Sequence, residues 1–121
     1  MSSLRSDRGG YAKDYVARKK TGNYEVEITI DRNPLILGDN RIGIEIRDRD
    51  NNYVTDTKVL VNYYMPPMLR MPPMNYRIDA KLKGEKYKAT MNFIMTGPWY
   101  IVIIFHRGGK VFTAKFNVDV P

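Results

Sequence analysis

From Tyr24 the chain alternates with a period of two: Tyr24, Val26, Ile28 and Ile30 are separated by Glu25, Glu27 and Thr29. In an extended segment this places the apolar side chains on one face and the polar ones on the other, so it predicts a strand with one buried face. Asn33-Pro34 and Gly38-Asp39-Asn40 interrupt the pattern, and Ile42, Ile44 and Ile46 resume it as a second strand. Arg49-Asp50-Asn51-Asn52 reads as a turn, and Lys58 to Tyr64 as a third strand. Arg77 to Leu82 and Lys86 to Ile94 flank Lys83-Gly84-Glu85 as a hairpin, with Tyr87, Ala89, Met91 and Phe93 facing inward. Trp99 to His106, almost continuously apolar, predicts a strand that is central or covered on both faces. After the turn at Arg107-Gly108-Gly109-Lys110, the residues Phe112, Ala114, Phe116, Val118 and Val120 complete the core. About seven short strands roughly ten residues apart, without a convincing long helix, predict an all-β sandwich of antiparallel strands. A small barrel would require the first and last strands to pair, and the pattern leaves that alternative open.

Before Tyr24 the pattern differs. Residues 1–22 read as a basic arm or flexible linker and residues 23–121 as the folded body. Tyr11, Tyr15 and Val16 have spacing that would also suit a short amphipathic helix. Within residues 1–20, six cations (Arg5, Arg8, Lys13, Arg18, Lys19, Lys20) face two acids (Asp7, Asp14), a local +4 out of a net charge of +7. A basic arm on a nearly balanced body reads as a solvated leader or juxtamembrane linker rather than as a nucleic-acid surface, so no nucleic-acid partner is expected.

Composition narrows the chemistry. The 121 residues suffice for one hydrophobic core and leave no room for a second. There is no cysteine, which removes disulfides, thiolate metal sites and thiol nucleophiles together. With a single histidine, no Gly-x-Ser-x-Gly elbow, no phosphate-cradling glycine loop and no His-Glu-x-x-His, no catalytic set is legible, and the chain is expected not to be an enzyme. Asp48, Asp50, Asn51, Asn52 and Asp56 match no calcium-loop spacing, and turn chemistry accounts for them. Trp99, entering a strand after Gly97-Pro98, reads as a core anchor, with Met91 in the core and Met95 at its rim.

An ordered set of landmarks spans residues 23–120: Tyr24-Glu25-Val26, Gly38-Asp39-Asn40, Asp56-Thr57-Lys58-Val59, Met65-Pro66-Pro67-Met68, Met71-Pro72-Pro73-Met74, Gly84 to Tyr87, and Gly97-Pro98-Trp99. In this order and spacing the chain resembles the YtkA-like family, to which the periplasmic part of FixH-type proteins is related. The resemblance implies an immunoglobulin-like sandwich, periplasmic or otherwise outside the cytoplasm and often anchored to the inner membrane by an amino-terminal segment. A protein partner, membrane-associated, is expected to meet the loop and exposed strand edges. Some relatives occur alongside copper handling or the assembly of copper-containing respiratory oxidases. The sequence as given contains no such anchor, and the basic arm would be the stub beside it.

Met65, Met68, Met71 and Met74 repeat every three residues in a segment with four prolines, which cannot be a central strand. Polyproline II backbone also turns every three residues, so all four thioethers would face one side. Soft, neutral sulfur suits Cu(I), which makes these four methionines candidate ligands. Successive methionines would stand roughly 9 Å apart on a straight segment, so three sulfurs on one ion require a bend, and Leu69-Arg70 is the proline-free place for it. His106 would complete a mixed site if the fold brought it near, or would simply cap its strand end. Without metal, the loop reads as methionine filler and proline edge protection, or as a flexible contact for a protein partner.

Overall fold

The computed structural model describes residues 14–67 and 73–121. Eight strands follow one another: β1 (Tyr15–Thr21), β2 (Tyr24–Ile30), β3 (Gly38–Arg47), β4 (Val59–Tyr64), β5 (Asn75–Lys83), β6 (Lys86–Phe93), β7 (Gly97–Arg107) and β8 (Lys110–Val120). Hydrogen bonding orders them β1-β2-β3-β6-β5-β4-β7-β8, with every neighbouring pair antiparallel.

Two layers arise because β5 changes partners. Its residues Asn75 to Ala80 pair with β4, whereas Lys81 to Lys83 pair with β6. A strand that switches layers makes a corner of a sandwich. The layer β2-β3-β6-β5 then has the adjacency of the A, B, E and D strands of an immunoglobulin domain, and β4-β7-β8 that of C, F and G. The expected immunoglobulin-like sandwich is therefore present, with β1 as an added strand on its margin.

Alternation fills the interior as the sequence pattern requires. Val26, Ile28 and Ile30 of β2 face Ile42, Ile44 and Ile46 of β3 in register, and all six are buried. From the other layer Val59, Val61, Ile101 and Ile103 meet them. Aromatic groups close the two ends of this aliphatic centre. Tyr24, Phe105 and Phe112 cluster at one end with ring centroids 4.9 to 5.5 Å apart. At the other end Trp99 stands 5.0 Å from Phe93 and 6.0 Å from Tyr63. The outward residues Tyr100, Val102 and Ile104 of β7 are half-buried between flanking strands, and the Lys115 Nζ sits 4.0 Å from the Tyr100 ring centroid.

One expectation is corrected. Tyr15–Thr21, read from sequence as part of a flexible arm or as a short helix, is a strand laid along β2. Register supplies the reason, because Arg18 falls opposite Glu27 and Lys20 opposite Glu25, and Arg18 Nε reaches Glu27 Oε1 at 2.6 Å. Exposed pairs of this kind contribute only about 0.2–1 kcal/mol each. The backbone ladder and the half-buried Tyr15 and Ala17, packed on the core, hold β1 in place.

The buried Tyr87 of β6 accepts a hydrogen bond from the Thr57 backbone N–H at 3.4 Å. Burial pushes the pKa of this phenol above its ordinary value, against a smaller lowering by that N–H and with a further push from Asp56. The folded state thus holds the phenolic proton more tightly than the unfolded chain does. Its stabilising contribution is complete below about pH 10 and is lost as pH rises through the higher folded-state value. Tyr87→Phe should therefore show a shallower loss of urea stability between neutral and strongly alkaline pH than the parent, and equal slopes would contradict this.

Candidate functional site

Three connections gather at one end of the sandwich: residues 31–37 between β2 and β3, residues 65–74 between β4 and β5, and residues 94–96 between β6 and β7. Register brings the first and third together, because Gly38 pairs with Phe93 and the next residues outward are Leu37 and Ile94. The second is joined through Tyr63, whose ring lies 5.5 Å from Phe93 and whose hydroxyl accepts the Asn92 N–H at 3.2 Å.

Hydrogen bonds hold the described residues of each connection. Asn40 is the buried polar side chain among the described residues. Its Oδ1 accepts the Ile36 N–H at 3.1 Å, and its Nδ2 donates to the carbonyls of Ile36 at 2.7 Å and Gly38 at 3.1 Å. With both ends of its amide satisfied, Asn40 ties the 31–37 connection to β3. The Trp99 indole Nε1–H donates to the Met95 carbonyl at 2.9 Å and holds the 94–96 connection against the aromatic cluster. Across the mouth of the methionine and proline loop, the Met65 N–H donates to the Met74 carbonyl at 3.0 Å.

The candidate ligands divide accordingly. Met65 is only 7% exposed and belongs to the core, and its Cε lies 3.0 Å from where a Cβ on Gly97 would stand. Met74 is half-buried and packs on the core from outside. Met68 and Met71 lie outside the described residues. The structure thus brings Met65 and Met74 together at the loop base and employs Met65 as packing.

His106 is not brought to them. Val59 pairs with Phe105 and Tyr64 with Tyr100, so Met65 follows β4 out beside Trp99 while His106 lies at the opposite end of β7. Seven residues of strand separate those positions, about 23 Å. His106 is exposed, and its carbonyl accepts the Thr57 hydroxyl at 2.7 Å, a strand-end arrangement. Among the described residues, no group of three or more His, Asp or Glu is placed to hold a metal ion. The Asp48 turn likewise uses its carboxylate internally, since Oδ1 accepts the Asp50 N–H at 2.9 Å and the Asn52 N–H at 3.0 Å.

Sequence reasoning passed over the aliphatic residues at this end. Ile36, Leu37 and Ile94 are 39%, 50% and 54% exposed. Their signal is an apolar residue beyond the last residue of an alternating series, as Ile94 follows the buried Phe93.

A model of YtkA-like proteins matches residues 18–103, from β1 into β7. The chain belongs to the YtkA-like family. The YtkA-like stretch contains all three connections of the candidate end and stops before His106 and β8. No curated protein and no solved structure matches the chain significantly.

The close approach at Gly97 makes a testable point about the loop base. Gly97 has φ 123°, a conformation that side chains rarely adopt, in addition to its contact with Met65. Gly97→Ala should cost about 1–3 kcal/mol in urea denaturation. The cost should shrink in a Met65→Ala background, where the contact is gone and only the backbone strain is left. An unchanged cost in the double variant would show that Met65 does not press on this position.

Proposed function

We propose that this YtkA-like domain is a non-enzymatic accessory module that works outside the cytoplasm and binds a membrane-associated protein through its loop-bearing end. The observation that carries this reading is the grouping of the exposed Ile36, Leu37 and Ile94, by the pairing of Gly38 with Phe93, at the end that bears the methionine and proline loop. The exposed Leu82 and Val111 at the other end lie on separate strand pairs. Apolar side chains grouped on one end of a charged domain favour burial against another protein, and methionine adapts to irregular partner surfaces. Asn40 and Trp99 support it further, because connections held by buried hydrogen bonds lose little entropy on docking. Family membership supports the extracytoplasmic location and an anchor beyond the given sequence.

A photoreactive side chain at Leu37 in the membrane-attached protein should give a discrete adduct with a membrane protein, in the presence of a copper chelator. The same group at Lys110, at the opposite end, should not. Equal adducts from both positions, or none from Leu37, would remove the basis of this reading.

A second reading, Cu(I) capture by the loop, is favoured by the bond from the Met65 N–H to the Met74 carbonyl, which closes the loop base and leaves Met74 half-buried there at the end of the methionine series. Thioethers suit Cu(I). Because Met65 is packed against Gly97, the ligands on this reading are Met68, Met71 and Met74. Anaerobic titration under reducing conditions should give a defined stoichiometry, with affinity reduced at least about tenfold when these three become leucine and little changed by Met65→Leu. Unaltered affinity after replacement of all four methionines would end the copper assignment.

A further inference from the structure

The outer face of the layer formed by β2, β3, β6 and the end of β5 carries a hollow of about 770 Å³. Gly43 forms its floor, between Thr29 on β2 and Lys88 on β6. The outward neighbours of Gly43 along β3 are the long side chains of Arg41 and Glu45, so its missing side chain leaves the depression. Five cations line it: Arg41, Lys81, Lys83, Lys86 and Lys88.

The four lysines form a grid. In the β5–β6 hairpin Lys81 stands opposite Lys88 and Lys83 opposite Lys86, two like-charged pairs in direct cross-strand register. Such pairs oppose folding, because the side chains start about 4.5–5.5 Å apart. That spacing is well inside the screening length of about 8 Å at physiological salt. Neutralisation within the fold is slight. Lys86 lies 3.6 Å from Glu45, which also serves Arg47 at 3.1 Å, and Lys81, Lys83 and Lys88 have no ion pair among the described residues. Asp14 and Asp31 stand on the hollow's wall, and Asp31 Oδ1 already accepts the Arg41 backbone N–H at 2.9 Å.

We propose that this hollow is a binding site for a compact, multiply charged phosphate anion, held by Lys81, Lys83, Lys86 and Lys88 over the floor made by Gly43. Several phosphate oxygens accept from several ammonium groups at once, and the anion relieves the repulsion built into the hairpin. A compact ligand is favoured over a long nucleic-acid strand because Asp14 and Asp31 end the positive field on one side. The chemistry is that of a diphosphate in solution or of several singly charged phosphate headgroups presented side by side by an anionic lipid surface, which together offer the same multiple charge.

The test uses pyrophosphate in calorimetric titration, and flotation with vesicles of phosphatidylglycerol mixed with phosphatidylcholine or of phosphatidylcholine alone, at physiological salt. Binding to pyrophosphate only identifies a soluble anion as the ligand, and binding to the phosphatidylglycerol vesicles only identifies a headgroup. In either arm Lys81→Gln with Lys88→Gln should weaken binding at least tenfold, and Lys110→Gln with Lys115→Gln, outside the hollow, should change it less than twofold. Gly43→Gln separates a formed site from a diffuse field, because it fills the floor and removes no charge. It should also weaken binding at least tenfold, whereas Gly43→Ala, whose Cβ meets its nearest atoms at 3.9 Å, should not. Thermal unfolding of each variant establishes that it is folded. Absence of binding in both arms, or full binding by folded Gly43→Gln, would overturn the proposal.

Discussion

Membership of β5 in both layers is the constraint on which the molecule depends. A sandwich is held mainly by apolar contact between its faces, which is strong but non-directional, and β5 adds a hydrogen-bonded corner that fixes how the layers are offset. With Asn75 to Ala80 committed to β4 and Lys81 to Lys83 committed to β6, sliding one layer over the other breaks ladder bonds. The strand also sets out the functional geography. Its beginning anchors the methionine and proline loop through Met74, and its end carries half of the lysine grid.

Packing and loop placement are linked by the aromatic group around Trp99. The indole fills the end of the core and at the same time fastens the Met95 carbonyl, so one side chain sets both the closure of the interior and the position of a connection. Tyr63 does the same for β4 and β6, stacking on Tyr76 and accepting the Asn92 N–H. Ile36, Leu37 and Ile94 therefore sit on connections fastened by Asn40 and Trp99, so little ordering remains to be done when they meet a partner.

Much of this architecture was legible in the sequence, because a half-buried strand writes its orientation into alternate residues. The series Val26-Ile28-Ile30 and Ile42-Ile44-Ile46 face the interior as their alternation requires, as do Tyr87, Met91 and Phe93, while Ala89 between them is half-buried against the core. β1 was not legible, since Arg18-Lys19-Lys20 mask its alternation and the acids that complement two of those cations lie on β2. Among the candidate ligands, spacing alone said nothing of Met65 turning into the core, which depends on the space left at Gly97. Nor did it separate His106 from the methionines, a matter of strand register. The lysine grid left a trace that went unused: Lys81, Lys83, Lys86 and Lys88 are alternate residues on both arms of a hairpin whose turn is Gly84-Glu85.

The margin where β1 and β8 lie alongside each other has its own consequence. They are the terminal strands of the hydrogen-bonded order, and the Tyr15 hydroxyl meets the Asn117 carbonyl there at 3.4 Å without a backbone ladder. Each thereby shields the other from pairing with foreign chains, as closure into a barrel would, yet no backbone ladder crosses the seam. Along this line the two margins are joined by side chains alone, the half-buried Tyr15 and Ala17 on the core and Gly22 close against Phe112, so parting them would leave every inter-strand ladder whole while wetting apolar surface.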